Sequence, residues 1–381
     1  MNQRFGALFS VEAGLLQDHR PLVDSTLAKN LHTETLLEPV SSLLFALIHE
    51  FLKQPDSTEP KVPLHPEITA LIKLQGQWVV DNKVPPRAEQ SFADMRRWGR
   101  AQLPLKNTIE TRAGVTFEDI SLPARGGERR VRVYRPDCAT SLPTIIFIHG
   151  GGYAVGGIED THHETLRLAA SIPANVVSIS YRLAPEHPWP AGIDDGEDIL
   201  DAITKGAIPG LARERIAVGG ISAGAGLAVA MAQRALAKGR SPIDLLILMS
   251  PWLDMTGTLP SVDVFGTGYF LEKPSLASFT NAYLGNGVTA DHPELSPARH
   301  PVPAHWPQTI LLSAECDPLA DDAALFARRL AESDIAHTWR VARGMTHAFH
   351  AWVGQVPAAV PETEWMDARI RAWAAGHSVT A

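Results

Sequence analysis

The clearest candidate for a reactive site in the sequence is Gly-Ile-Ser-Ala-Gly at residues 220–224. It follows an apolar run, residues 215–219, that is typical of a buried strand. It precedes a small, alanine-rich stretch, residues 225–232, that is typical of a helix packed close to a sheet. A serine between two glycines at a strand-to-helix junction is the context of an activated nucleophile, and a tight turn there leaves no room for Cβ atoms. Ser222 is therefore the candidate nucleophile.

A serine attacks a substrate only when a base takes its proton and a third group orients that base. The candidate base is His347, in a glycine-containing loop after a predicted strand that ends near Val341. His350, three residues later, is the alternative. The candidate acid is Asp317, which comes just after a predicted strand that ends at Ala314.

Asp317 also has a second interpretation, because Asp commonly caps the N-terminus of a helix and a helix is predicted from residue 318. Asp321, Asp322 and Glu315 are weaker candidates for the acid, the first two because they lie within that predicted helix.

The developing oxyanion needs hydrogen-bond donors. His149 and the three glycines after it, residues 150–152, follow a buried strand, so their backbone N–H groups can turn toward a ligand together with the N–H of Ala223. No Gly-Lys-Ser/Thr follows, which excludes a P-loop. A dinucleotide-binding fingerprint also fails, because Ile221 stands where its second glycine belongs.

The remaining composition argues against other classes of protein. The net charge is −8 and no basic stripe is present, so nucleic acid is not expected as a partner. Cys138 and Cys316 form neither a disulfide framework nor a metal cluster, which fits a cytoplasmic location. The spacing of His149, His162 and His163 matches no common zinc motif, so no metal is expected.

No membrane insertion is expected either. The N-terminal residues lack the continuous apolar core of a signal peptide. The apolar run from Val40 to Leu52 is too short to span a bilayer. We interpret it as an amphipathic surface helix, with a membrane-surface or dimer contact as the alternative.

Apolar strands alternate with helical segments through most of the chain. This alternation predicts an α/β fold with a mostly parallel sheet covered on both faces. Two period-two segments, residues 115–120 and 130–134, predict an antiparallel hairpin at a sheet edge. Residues 254–303 break the alternation, and an excursion of that length between core strands is usually a functional cover.

These motifs together resemble the hormone-sensitive-lipase-like (bacterial type IV) carboxylesterases. The resemblance covers the chain from about Leu64 to the C-terminus. The matching segments, in chain order, are His149–Gly152, Tyr181–Ala191, Gly220–Gly224, Ser250–Asp254, Asp317–Leu319 and His347–Phe349. The chain departs from the family in two respects. The family most often has Asp or Thr where Ile221 stands, and the stretch before about Leu64 is longer than the usual family N-terminus.

The resemblance implies an α/β-hydrolase core of about eight strands with a mostly helical cap. The core would comprise residues 111–253 and 304–381. The cap would comprise residues 63–110 and 254–303, and residues 1–62 would extend the cap or make an oligomer contact such as a homodimer. It also implies a triad of Ser222, Asp317 and His347.

In this family the oxyanion hole would be formed by the N–H groups of Gly151, Gly152 and Ala223. Tyr153 and Ile221 are expected to contact the substrate. The predicted activity is hydrolysis of short- to medium-chain acyl esters without a cofactor, so the predicted partner is a small-molecule ester. Hydrolysis of an amide, carbamate or lactone is the alternative. A non-catalytic ligand binder is less favoured, because binders on this fold lack the base that His347 supplies.

Overall fold

The computed structural model describes residues 62–85, 89–106, 111–138, 141–240, 242–285 and 287–380. The run from Val40 to Leu52 and the rest of the predicted N-terminal extension up to residue 61 lie outside the described residues. The strands, in chain order, are β1 Val115–Leu122, β2 Arg129–Pro136, β3 Thr144–Ile148, β4 Asn175–Ile179, β5 Ile216–Ile221, β6 Leu245–Met249, β7 Gln308–Cys316 and β8 His337–Thr346.

The described strands form one sheet in the order β1-β2-β4-β3-β5-β6-β7-β8. β1 and β2 pair antiparallel, as does β2 with β4, and each pairing from β4 to β8 is parallel. The predicted hairpin and its place at a sheet edge are therefore confirmed. Every residue of β3, β4, β5 and β6 is buried, as continuous apolar strands in a parallel sheet should be.

Helices flank this sheet and precede it. They are α1 Pro66–Asp81, α2 Phe92–Lys106, α3 His162–Ser171, α4 Ala191–Thr204, α5 Ala223–Ala237, α6 Pro260–Phe265, α7 Lys273–Leu284, α8 Ala320–Glu332 and α9 Val360–Ala374. The alanine-rich α5 packs on β3, β5 and β6, and α8 packs on β7 and β8. In the part of the chain that the structure describes, no helix is long and apolar enough to cross a membrane.

The end of the last strand differs from the sequence prediction. The strand predicted to end near Val341 continues to Thr346, so Gly344 lies in β8 and not in a loop. The reason is that β8 stays paired with β7 up to the Cys316–Thr346 pair, across a β-bulge that accommodates the glycine. β8 therefore leads directly into His347.

The excursion between β6 and β7 contains α6 and α7 and is closed by an ion pair at its two ends. Arg299 donates from Nε and Nη2 to the two carboxylate oxygens of Asp254, at 2.8 and 2.7 Å. Asp254 is buried, so this bidentate contact fixes the segment where it leaves and rejoins the sheet.

Candidate active site

Ser222 lies at the turn between β5 and α5, at φ 56° and ψ −118°, a region that non-glycine residues rarely adopt. The flanking glycines make the turn possible. A Cβ on Gly220 would come within 2.5 Å of the carbonyl oxygen of Ile148, and a Cβ on Gly224 within 2.2 Å of the same oxygen. The predicted strand–turn–helix context and the steric need for both glycines are confirmed.

His347 lies between Ser222 and Asp317. Its Nε2 is 3.0 Å from Ser222 Oγ, and its Nδ1 is 2.8 Å from Asp317 Oδ2. All three side chains are buried. With the proton on Nδ1, where the carboxylate accepts it, Nε2 is free to accept the serine hydroxyl proton. The serine hydroxyl, the imidazole and the carboxylate therefore lie in a row, each within hydrogen-bonding distance of the next.

Asp317 lies beside His347 and also makes a capping contact, as its two sequence interpretations predict. It directly follows β7, and its Oδ1 accepts a hydrogen bond from the N–H of Leu319 at 2.9 Å, which is a capping contact in the turn before α8. The same carboxylate uses its other oxygen for His347. The turn before α8 therefore fixes the Asp317 carboxylate in the orientation in which it contacts the His347 imidazole.

The three glycines follow β3 and form a turn in which the carbonyl of Gly151 accepts from the N–H groups of Ala154 and Val155. Gly151 and Gly152 both have positive φ, at 119° and 57°. Among the residues that the structure describes, none accepts a backbone hydrogen bond from the N–H of Gly151, Gly152 or Ala223. Ala223 is the first residue of α5, where N–H groups lack intrahelical acceptors.

Comparison with known proteins identifies the family. A family model described as an α/β-hydrolase fold matches residues 145–351, more than half of the chain and the whole segment that carries Ser222, Asp317 and His347. The chain belongs to the hormone-sensitive-lipase-like α/β hydrolases. The predicted fold class and family are thereby confirmed.

Relatives of this hydrolase include several esterases. The ethyl acetate hydrolase of Pseudomonas putida is 35% identical over 245 residues, which are 61% of this chain and 75% of the relative. The carboxylesterase NlhH of Mycobacterium tuberculosis is 35% identical over 239 residues, with the same shares covered. Among solved structures, an α/β hydrolase from the metagenome of Lake Arreo has a TM-score of 0.75 and 30% identity, covering 81% of this chain and 98% of its own.

The weaker acid candidates of the hydrolase have other partners. Glu315 accepts from the N–H of Gly344, and Asp321 accepts from the N–H of Ser261. Asp322 accepts from the N–H groups of two residues after β6, and burial raises its pKa well above the usual value. Burial also raises the pKa of the Cys316 thiol to about 12, so it is no competing nucleophile.

The alternative base, His350, is engaged elsewhere. Its Nδ1 lies 3.1 Å from Oε1 of Glu164 on α3, and both side chains are buried. The histidines weighed as metal ligands also have other contacts, because His149 stacks on Tyr181 and Nδ1 of His162 lies 2.7 Å from the hydroxyl of Tyr134. Within the described residues, no three His, Cys, Asp or Glu side chains form a group that could hold a metal ion.

A small cavity opens beside Ser222 and His347, and the empty space in and in front of it, part of it open to solvent, is about 240 Å³. Its walls come from the glycine turn, the serine and histidine, the segment just after β6 and the excursion between β6 and β7, with these lining residues: Gly152, Ser222, Trp252, Leu271, Leu276, Phe279 and His347. Sequence reasoning did not find Leu271 or Leu276, because nothing distinguishes these leucines from core residues before the fold is known.

Phe279 lines this cavity and lies against the glycine turn. A Cβ on Gly152 would come within 2.3 Å of its ring, so the ring lies directly against the glycine turn. The ring also contacts Phe92 of α2, with centroids 5.7 Å apart. Phe279 therefore joins the excursion, the N-terminal helices and the glycine turn at one point.

The two predicted substrate contacts, Tyr153 and Ile221, are buried close to the triad but are not among the cavity-lining residues. The ring of Tyr153 stacks on Tyr283 with centroids 3.9 Å apart, and burial raises the pKa of its phenol. Ile221 is the last residue of β5. Direct contact of either residue with a substrate stays a prediction.

Proposed function

We propose that this chain is a serine carboxylic-ester hydrolase that acts on short- to medium-chain acyl esters. The observation that carries the proposal is the continuous path from Ser222 Oγ through His347 to Asp317, with separations of 3.0 and 2.8 Å. The printed names of the relatives, ethyl acetate hydrolase and carboxylesterase, support the ester as the substrate class.

In the proposed reaction, His347 Nε2 takes the proton of Ser222 as Oγ attacks the ester carbonyl. The imidazolium that forms is stabilised and held in its tautomer by Asp317. His347 then protonates the leaving alcohol, and an acyl group remains on Ser222. A water molecule, deprotonated by the same imidazole, attacks that acyl group and restores the serine. Neither a metal ion nor an organic cofactor takes part in these steps.

The carbonyl oxygen becomes an oxyanion in each attack. We assign its stabilisation to the N–H groups of Gly151, Gly152 and Ala223, which have no backbone acceptor among the described residues. Donors fixed by the turn and by the start of α5 need no rearrangement when the charge develops. Loss of one such donor typically costs about 100- to 1,000-fold in kcat.

The lining of the cavity supports an acyl ester as the substrate. Its apolar walls, Leu271, Leu276 and Phe279, suit methylene groups and not charges. In this proposal the excursion, with α1 and α2, is the cap that excludes water. A small ester as partner and a cytoplasmic location, consistent with only two cysteines in the sequence, belong to the same proposal.

Intact-mass analysis after incubation with a fluorophosphonate tests the proposal, with Ser222→Ala as the control. We expect one adduct per chain, located on the peptide that contains Ser222, and none on the variant. A folded wild-type protein that forms no adduct would contradict the activated serine, and a ligand-binding screen would then test the non-catalytic alternative. An adduct without turnover of any ester would direct the search to amides, carbamates and lactones.

A further inference from the structure

The strands that carry the acid and the base lose their regular pairing shortly before the site. Ala314 pairs with Ala342, and the next pair is Cys316 with Thr346. Glu315 alone on β7 is therefore opposite three residues of β8, Arg343 to Met345. Asp317 and His347 follow immediately. A bulge in this position sets the direction in which the next side chain points.

Both polar groups of the Gly344 residue in this bulge have a partner from another part of the chain. Its N–H donates to Oε2 of Glu315 at 2.8 Å. Its carbonyl oxygen accepts from the backbone N–H of His65, just before α1, also at 2.8 Å. Gly344 has φ 66°, and a Cβ there would lie 2.9 Å from the His65 nitrogen, so the contact requires glycine.

We propose that Glu315 and the main chain of His65 are positioning groups that hold the Gly344 bulge and thereby keep His347 aligned between Ser222 and Asp317. The inference rests on the proposed function, because alignment matters only if His347 is the base. It also gives α1 a role beyond covering the site. Its N-terminus holds one side of the strand that delivers the imidazole.

The hydrogen bond to Gly344, and not the neighbouring ion pair, carries this role. Glu315 also binds Arg343, through Nη1 at 2.5 Å, but the Arg343 side chain is 68% exposed. An ion pair so open to solvent holds little geometry. The Gly344 peptide, by contrast, cannot move out of the bulge without breaking its hydrogen bonds to Glu315 and His65.

The test compares Glu315→Ala with Glu315→Gln and Arg343→Ala. The amide oxygen of Gln can still accept from Gly344, and Arg343→Ala removes the ion pair with Glu315 while it leaves the hydrogen bond from Gly344 to Glu315 in place. We expect Glu315→Ala to lower kcat and the rate of fluorophosphonate labelling by about 10- to 100-fold with KM unchanged, because displacement of a catalytic group by about 1 Å has effects of this size. Glu315→Gln and Arg343→Ala should stay within about threefold of the wild type.

Amide hydrogen exchange at Gly344, followed by NMR on the whole protein, measures the contact without any reference to activity. We expect faster exchange in Glu315→Ala and wild-type exchange in Glu315→Gln. Unchanged exchange and unchanged kcat in Glu315→Ala, in an active wild-type background, would overturn the inference alone. A lower melting temperature with unaltered kcat would also overturn it, since it would make Glu315 merely structural. A wild-type protein that is neither labelled nor active would overturn the proposed function as well.

The His65 side of the contact has its own matched pair of variants. His65 has φ −57°, which proline can adopt, so His65→Pro removes the N–H that Gly344 accepts. Both His65→Pro and His65→Ala lose the side chain that caps α1 through the N–H of Glu67. We expect a lower kcat for His65→Pro than for His65→Ala. Equal kcat values for the two variants would remove His65 from the proposal.

Discussion

Replacing Phe279 by alanine should extend the range of acyl chains that the site accepts. The ring is buried, lines the cavity beside Ser222 and His347, and lies against Gly152. Its removal would leave apolar space next to the serine, bounded by Leu276 and by other residues of the excursion. A longer acyl chain could then enter this space.

The expected gain follows from the burial of methylene groups. Each further methylene that leaves water contributes about 0.8 kcal/mol, which corresponds to about fourfold in kcat/KM. Pentanoate has three more methylenes than acetate, and we expect the space left by the phenyl ring to hold them. The ratio of kcat/KM for pentanoate to that for acetate should therefore rise by up to about 60-fold in Phe279→Ala.

p-Nitrophenyl esters from acetate to octanoate are suitable substrates, because the leaving group stays constant and only the acyl chain changes. The ratio of two substrates in one preparation does not depend on the fraction of folded enzyme. This matters because Phe→Ala in a core costs about 3–5 kcal/mol of stability. Phe279→Leu keeps more of the packing and should give a smaller rise. The reasoning is refuted if neither variant changes the ratio.

Three further changes test other parts of the site. Asp317→Asn should lower kcat by about 10,000-fold, as expected when the imidazole loses its orienting carboxylate, measured on p-nitrophenyl acetate. His350→Ala should retain far more activity than His347→Ala in the same assay. Arg299→Met should destabilise the protein at pH 7 by an amount near the lower end of about 3–5 kcal/mol, because Asp254 would keep a buried, unpaired charge. Urea unfolding measures this loss.

The Arg299 prediction includes a pH dependence. Burial alone would raise the pKa of Asp254, but hydrogen bonds from Arg299 and Thr256 outweigh it and hold that pKa below its usual value. Since the folded pKa is lowered, the stabilisation is present above about pH 4 and is lost as the pH falls through the lowered pKa. The stability difference between wild type and Arg299→Met should therefore shrink in acid. A difference that stays constant down to pH 2 would contradict the pairing.

The strands of the core and the three triad positions could be predicted because their signals are local. Buried parallel strands appear as continuous apolar runs, and Ser222 and Asp317 stand just after such runs, whereas His347 follows β8, a partly exposed strand at the sheet edge. In a parallel sheet the carboxyl ends of the strands meet at one edge, so Ser222, Asp317 and His347 are brought together by topology alone. A serine, an acid and a histidine in that chain order were therefore informative without coordinates.

The cavity walls could not be predicted in this way. Leu271, Leu276 and Phe279 belong to an excursion with little regular structure, and their approach to the site depends on how α7 packs on the glycine turn. The length of the excursion predicted a cover, but it did not show which of its side chains line the space beside Ser222. The stacking of Tyr153 on Tyr283 could not be predicted either, because it also depends on how α7 packs near the glycine turn.

The position of Gly344 shows why local patterns predicted Ser222, Asp317 and His347 but not the contacts at the end of β8. A glycine near a strand end usually marks a loop, and here it lies inside β8. It remains in the strand because Glu315, 29 residues away, accepts from its N–H, and because His65, much earlier in the chain, donates to its carbonyl. Neither contact leaves a periodic trace in the sequence. The chemistry of this site is thus encoded at strand ends, whereas the direction of His347 depends on hydrogen bonds between segments that only the fold brings together.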